Sequence, residues 1–118
     1  MTKKLLYNNE NISQNAINML LLKYPSKRPF IVKPADKNQP LIDKTKYLVP
    51  LEITISEFVY ILKKRITIKH NDAIFIFIET RNGDMIIPKL SERIIDIYEK
   101  HNINGHVNMK YSIENTFG

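Results

Sequence analysis

Few side chains in this 118-residue chain are able to do covalent or metal chemistry, and their spacing argues against most of it. There is no cysteine, which removes thiol nucleophiles, thiolate metal sites and disulfide frameworks together and suits a reducing compartment. The three histidines, His70, His101 and His106, have no metal-type spacing to one another, and the chain order suggests no Ser/His/Asp grouping. No catalytic residue, no metal and no cofactor is expected. The usual lipidation signals are missing too: Thr2 stands where myristoylation needs glycine, and prenylation needs a cysteine. Any covalent chemistry therefore draws attention to the last residue, Gly118.

Charge is the next feature. Eighteen Lys and Arg against twelve Asp and Glu leave +6, and the surplus is uneven. Residues 1 to 69 hold 13 basic and 5 acidic side chains (+8), whereas residues 70 to 118 hold 5 and 7 (−2). One half therefore faces anions. The basic residues are not interleaved with aromatics and form no nucleic-acid motif, so nucleic acid is not the expected partner; anionic lipid or acidic peptide would serve equally well. No apolar run approaches the roughly 20 residues that span a bilayer, and the start lacks an apolar signal region, so a soluble, cytoplasmic protein is expected.

The elements that must position these residues read as one domain. Residues 1–11 are polar and are expected to form a flexible segment. Ile12, Ala16, Ile17, Leu20 and Leu21 recur with helical spacing, and the helix 12–24 closes where Pro25 disfavours helix in the residue before it. Pro29-Phe-Ile-Val-Lys-Pro34 and Lys46-Tyr-Leu-Val-Pro50 read as strands, the first bounded by prolines as a strand end or edge permits. Thr54-Ile-Ser-Glu57 forms a capping box before a helix whose Phe58, Ile61, Leu62 and Arg65/Ile66 share a face, with Ile53 placed as a hydrophobic staple. Ala73-Ile-Phe-Ile-Phe-Ile78, apolar on both faces, predicts a strand in the middle of a sheet, and Asn82-Gly83 supplies a tight turn. Ile94, Ile97 and Tyr98 mark another helix, and Val107, Met109 and Tyr111 a last strand. The order, helix, β, β, helix, β, helix, β, is that of an α+β ubiquitin-like β-grasp. It implies a four-stranded mixed sheet crossed by a helix, with an N-terminal helical extension. The domain is expected over 12–111, with 112–118 a flexible tail ending in Gly118.

Lys23-Tyr24-Pro25, Pro29-Phe-Ile-Val32, Ile42-Asp43-Lys44-Thr-Lys-Tyr-Leu-Val-Pro50, Phe58 to Ile66, Ala73-Ile-Phe-Ile-Phe77, Ile97-Tyr-Glu-Lys-His101 and Tyr111-Ser-Ile-Glu-Asn-Thr-Phe-Gly118 together resemble the autophagy ubiquitin-like modifiers, the GABARAP and light-chain-three type family. The resemblance covers roughly residues 12 to 118. It implies a modifier rather than an enzyme. Activating and conjugating enzymes would carry Gly118 as a thioester to phosphatidylethanolamine on autophagosomal membranes, and a deconjugating cysteine protease would process it. Chemically, glycine on an extended tail gives such enzymes close access to the terminal carboxylate. The resemblance further implies a monomer before conjugation, cytoplasmic until it is lipidated.

Receptors and adaptors carrying short W/F/Y-x-x-L/I/V motifs are the other partners the resemblance implies, docked as an added strand beside the second strand. By family position the aromatic pocket would be lined by Ala16, Leu20, Pro29, Ile31, Lys46, Leu48 and His106. The aliphatic pocket would be lined by Tyr47, Val49, Pro50, Ile53, Phe58 and Ile61. Lys27, Lys46 and Arg65 match positions that receive acidic residues of the motif, whereas Lys63 and Lys64 read as the solvated face of their helix. Residue by residue, ordinary core is the commoner role for such apolar positions; the constellation is what points to pockets.

The chain departs from the family pattern in several places. Met1 to Asn11 offers no clear counterpart of the family's first helix. Ala16 stands where Glu is frequent, His106 where Phe usually floors the aromatic pocket, Arg28 where an apolar residue is usual, and the Glu79–Ile87 turn is longer. An imidazole in that floor predicts motif affinity that weakens on acidification. Two alternatives stay open: a ubiquitin-like peptide-binding module that is not conjugated, and a sister modifier joined to protein, though that branch usually ends in Trp-Gly rather than Phe117-Gly118.

Overall fold

The structure, a computed structural model, describes residues 14–66, 68 and 72–115. In chain order the elements are α1 (Gln14–Lys23), β1 (Lys27–Pro34), β2 (Lys46–Pro50), α2 (Ile55–Arg65), β3 (Asp72–Glu79), β4 (Met85–Ile86), α3 (Ile94–His101) and β5 (Val107–Asn115). The strands form one sheet in the order β2-β1-β5-β3-β4, with β1 and β5 parallel and every other pair antiparallel. This is the expected ubiquitin-like α+β class, with one strand more than the four read from the sequence. The additional strand, β4, has two residues and so no alternation to read. It exists because Gly83, at φ +87°, turns the chain and Thr80 and Asp84 close the hairpin through a 2.8 Å backbone hydrogen bond.

The structure corrects the placing of β3 in the middle of the sheet. The central strand is β5; β3 pairs with β5 along Asp72–Ile78, but with β4 only at Ile78 and Glu79. Its two-sided apolar pattern has another cause: Ile76 and Ile78 point into the core, while Phe75 and Phe77 lie on the opposite face, with Phe75 still 42% exposed. β5 stays paired with β3 as far as Asn115, four residues into the span 112–118 read as a tail, because β3 is long enough to offer partners down to Asp72. Residues 116–118, like 1–13, lie outside the described residues.

The main core fills one face of the sheet. Phe30, Val32, Tyr47 and Val49 of β1 and β2, with Val107, Met109 and Tyr111 of β5, meet Ile55, Phe58, Val59 and Leu62 of α2 and Ile94 and Ile97 of α3. Helix α2 is anchored at its start by the predicted capping box. Thr54 Oγ1 accepts from the Glu57 N–H at 3.2 Å, and Glu57 Oε1 accepts from the Thr54 N–H at 3.0 Å. Phe58 then stands edge-on to Phe30 (5.7 Å between centroids) and to Tyr47 (5.6 Å).

Among the described residues the opposite face is covered far more thinly. There α1 is held by a small cluster, Ile17 against Ile31, with Ala16 and Leu21 packed beside it. Burial of two isoleucines contributes roughly 3–6 kcal/mol, enough to seat a ten-residue helix. The turn before β5 supports it. Gly105 lies at φ +94°, and a Cβ there would come within 2.6 Å of Ile17 Cγ2, so both the conformation and the contact require glycine.

Candidate functional site

Strand β2 is the outer strand of the sheet, with β1 on one side and no described strand on the other. Its alternation divides its side chains: Tyr47 and Val49 are buried toward α2, whereas Lys46, Leu48 and Pro50 are half-buried on the α1 side. Between α1 and β2 runs an open groove of about 970 Å³. Five of the seven residues expected for the aromatic pocket, Ala16, Leu20, Pro29, Lys46 and Leu48, line it together.

The other two lie beneath that groove. Ile31, 2% exposed, is the sheet side of the α1 contact, and His106 is 1% exposed. Phe30 stands opposite Val107 in the β1–β5 register, so one step back His106 comes beside Pro29, which in turn faces Leu48 of β2. Burial lowers the His106 pKa; Lys33 lowers it too, while Glu79 and Asn108 act the other way. The predicted acid response at this position therefore moves below the ordinary histidine range.

The sequence reading missed part of the groove. Met19 and Leu22, 71% and 84% exposed, line it with Lys23, Tyr24 and Lys44. The available signal was two large apolar residues standing off the packed face of an otherwise amphipathic helix. Lysines crowd the aromatic rings of this region: Lys23 and Lys27 lie 5.5 and 5.8 Å from the Tyr24 ring, and Lys44 lies 5.3 Å from that of Tyr47. With Lys46 they give an apolar floor a cationic rim.

Of the six residues expected for the aliphatic pocket, Tyr47, Val49, Phe58 and Ile53 come together where β2 meets α2, whereas Pro50 and Ile61 are not part of that cluster. Tyr47, Val49 and Phe58 belong to the core, Pro50 and Ile53 are half-buried, and Ile61 is 41% exposed. The Tyr47 hydroxyl is buried without a partner, and burial pushes its pKa up to about 12, against the opposing pull of Arg65. Arg65 stands 3.6 Å from Asp43, and since both are well exposed this pair is easily exchanged for another carboxylate. Of the three expected acid-binding cations, Lys27 and Lys46 therefore border the groove while Arg65 lies on the α2 side. Lys64 stacks at 4.5 Å on the exposed Tyr60.

Arg28 is absorbed structurally: its guanidinium donates to the carbonyls of Pro25 and Lys27 at 2.8 Å and lies 5.5 Å from the Tyr98 ring, tying the start of β1 to α3. Burial and Lys100 lower the pKa of the half-buried His101. Among the described residues no group of three His, Asp or Glu side chains is placed to hold a metal, and no helix is long and apolar enough to cross a membrane. His70 and Gly118 lie outside the described residues.

A parallel β1–β5 centre, a helix across one face and an apolar, lysine-rimmed groove along the outer strand define a ubiquitin-like protein. The profile of the family "Autophagy protein Atg8 ubiquitin like" matches residues 11–118. Autophagy-related protein 8e of Arabidopsis thaliana is 44% identical over 98 residues, 81% of this chain and 76% of that protein. Autophagy-related protein 8 of Schizosaccharomyces pombe is 44% identical over 81% of this chain and 77% of its own. Among solved structures, Trypanosoma brucei ATG8 superposes with a TM-score of 0.73 at 31% identity, covering 89% of this chain and 88% of that one. Plasmodium falciparum Atg8 in complex with a P. falciparum Atg3 peptide gives 0.69 at 28% identity over 84% and 85%. The chain belongs to the Atg8 family of autophagy ubiquitin-like proteins. It is accordingly an autophagy modifier and not an enzyme.

Proposed function

We propose that this modifier docks W/F/Y-x-x-L/I/V peptides along β2 and is conjugated through Gly118 to phosphatidylethanolamine on autophagosomal membranes, moving there from the cytoplasm. The observation that carries the docking half is the groove itself. A peptide strand laid on the outer edge of β2 would place its aromatic residue over Leu20, Pro29 and Leu48, and its acidic neighbours beside Lys23, Lys27, Lys44 and Lys46. The Atg3 peptide bound to the Plasmodium relative makes an Atg3-type conjugating enzyme a natural partner, alongside an activating enzyme and a deconjugating protease. The conjugation half rests on family membership and on Gly118, whose lack of a side chain would let conjugating enzymes approach its carboxyl group closely.

Two experiments test the two halves separately. In a reconstituted reaction with activating and conjugating enzymes, ATP and phosphatidylethanolamine liposomes, intact mass should show a lipid adduct on the full chain and none on a Gly118-deleted chain. An unmodified full chain, with enzymes active on another member, would leave a peptide-binding module without conjugation; an adduct to protein would place it with the sister modifiers. For docking, a labelled motif peptide should bind the full chain and lose affinity at least about tenfold on Leu48→Asp, which puts a charge in the groove floor.

A further inference from the structure

His106 is the one polar residue among the fully buried side chains described, and neither imidazole nitrogen has a hydrogen-bond partner. The strand alternation that sends Val107, Met109 and Tyr111 into the main core turns His106 and Asn108 to the α1 side. The preceding residue, Gly105, is pressed against Ile17 of α1, and the strand register sets His106 beside the groove residue Pro29. The imidazole thus lies behind the groove, on the face of the sheet that α1 covers.

A neutral imidazole without partners is tolerable in such a place; an imidazolium, with two unpaired donors and a net charge, is far more costly. The surrounding groups do not remove that cost. Glu79 from β3 favours protonation and Lys33 from β1 opposes it; Asn108 of β5 stands near the ring without meeting hydrogen-bond geometry, and α1 contributes the apolar Ile17, Ala16 and Leu21 to the contact. The cluster under α2 is too extensive to open for one charge, whereas the cluster described on the α1 side is Ile17 and Ile31 with Ala16 and Leu21 packed against them. On the same side of the sheet a polar cleft of about 430 Å³, with Lys33, Glu79 and Asn108 in its lining, borders Ile31.

We propose that His106 is a proton-operated latch on the peptide groove: neutral, it lets α1 close against the sheet, and charged, it draws water into the Ile17–Ile31 contact and parts Ala16 and Leu20 from Pro29 and Leu48. The latch rests on the docking reading above and adds its regulation. Because burial holds the His106 pKa below the ordinary 6.5, the unfolded chain takes up the proton first. The stabilising effect of the neutral ring is complete above pH 6.5 and is lost as pH falls through the lowered value. The α1 wall is seated and the groove competent at neutral pH, and the wall is released on acidification.

The test uses the full chain and a fluorescent W-x-x-L peptide without histidine or carboxylate side chains, titrated from about pH 7.5 to about pH 5 at constant salt. Affinity should fall at least about fivefold, as when only about a fifth of the molecules keep a competent groove. His106→Phe should hold affinity constant within about twofold, and His101→Asn, which removes the other described histidine, should behave as the parent. NMR of the parent supplies a second readout that needs no variant to fold: the His106 ring should titrate together with the amides of Ala16–Lys23. Flat binding in the parent, an acid loss that persists in His106→Phe, or a ring that titrates while the α1 amides stay still would each overturn the latch. Absence of binding at neutral pH would sink the docking reading instead, and the joint titration of ring and α1 amides would then decide the latch by itself.

Discussion

The two faces of the sheet are built to different specifications. Under α2 and α3 a continuous cluster of sixteen buried residues, centred on Phe30, Phe58 and Tyr111, joins four strands and two helices. Under α1, among the described residues, the buried cluster is Ile17 and Ile31 with Ala16 and Leu21 packed against them, and Met19 and Leu22 of the same helix are exposed. The difference separates tasks. The first face holds the fold together; the second, on the docking reading proposed above, holds the groove wall loosely enough for it to be adjusted.

The sharpest way to break that comparison is to remove one buried side chain from each face. Phe58→Ala deletes the ring that meets both Phe30 and Tyr47 and should cost about 3–5 kcal/mol of global stability, read as a lowered urea midpoint. Ile17→Ala should cost less, about 2 kcal/mol, because α1 can settle into the space. Its signature should be local: faster amide exchange confined to α1, with β3 and β5 amides unchanged. Equal, global losses from both substitutions would mean that the faces form a single cooperative unit.

Gly105→Ala sharpens the same contrast from the other side of the contact. Its Cβ would strike Ile17 Cγ2, and φ +94° is strained for any L residue, so about 1–3 kcal/mol should be lost. Peptide affinity should fall with it, since the turn 103–106 supports the wall of the groove. On the strong face, Thr54→Ala removes the cap of α2 and should cost about 1 kcal/mol while leaving peptide affinity unchanged.

What the sequence disclosed follows the same division. Elements with a period and a stop signal were legible: the Thr54–Glu57 box, the strand Lys46–Pro50 and the Val107-Met109-Tyr111 alternation all lie where they were read. Two-residue β4 has too few positions for a pattern, and Phe75 and Phe77 looked like core because a half-covered face also carries aromatics. In the groove, positions carried over by resemblance located five wall residues, while Met19 and Leu22 went unread because exposed apolar residues on a helix look like noise until a strand is set beside them. Nothing in the sequence distinguishes a histidine that lines a pocket from one sealed behind it; that depends on the register between β1 and β5.

The smallest effect on stability should come from the rim. Lys27 lies at the start of β1, partly exposed over Tyr24, and makes no buried ion pair, so Lys27→Glu should shift the unfolding midpoint by no more than about 0.5 kcal/mol. Its effect should appear in binding instead. A peptide with acidic residues before its aromatic position should associate several-fold more slowly at low salt, with dissociation nearly unchanged, because a rim charge steers encounter more than it holds the complex. The same substitution tested on a peptide with neutral flanks should do almost nothing, and raising the salt should merge the two peptides as screening shortens to about 8 Å at physiological ionic strength. A loss carried by dissociation, equal for both peptides, would instead make Lys27 part of the wall through its aliphatic stem, and the loosely held face would then be recognising shape where its charge suggests steering.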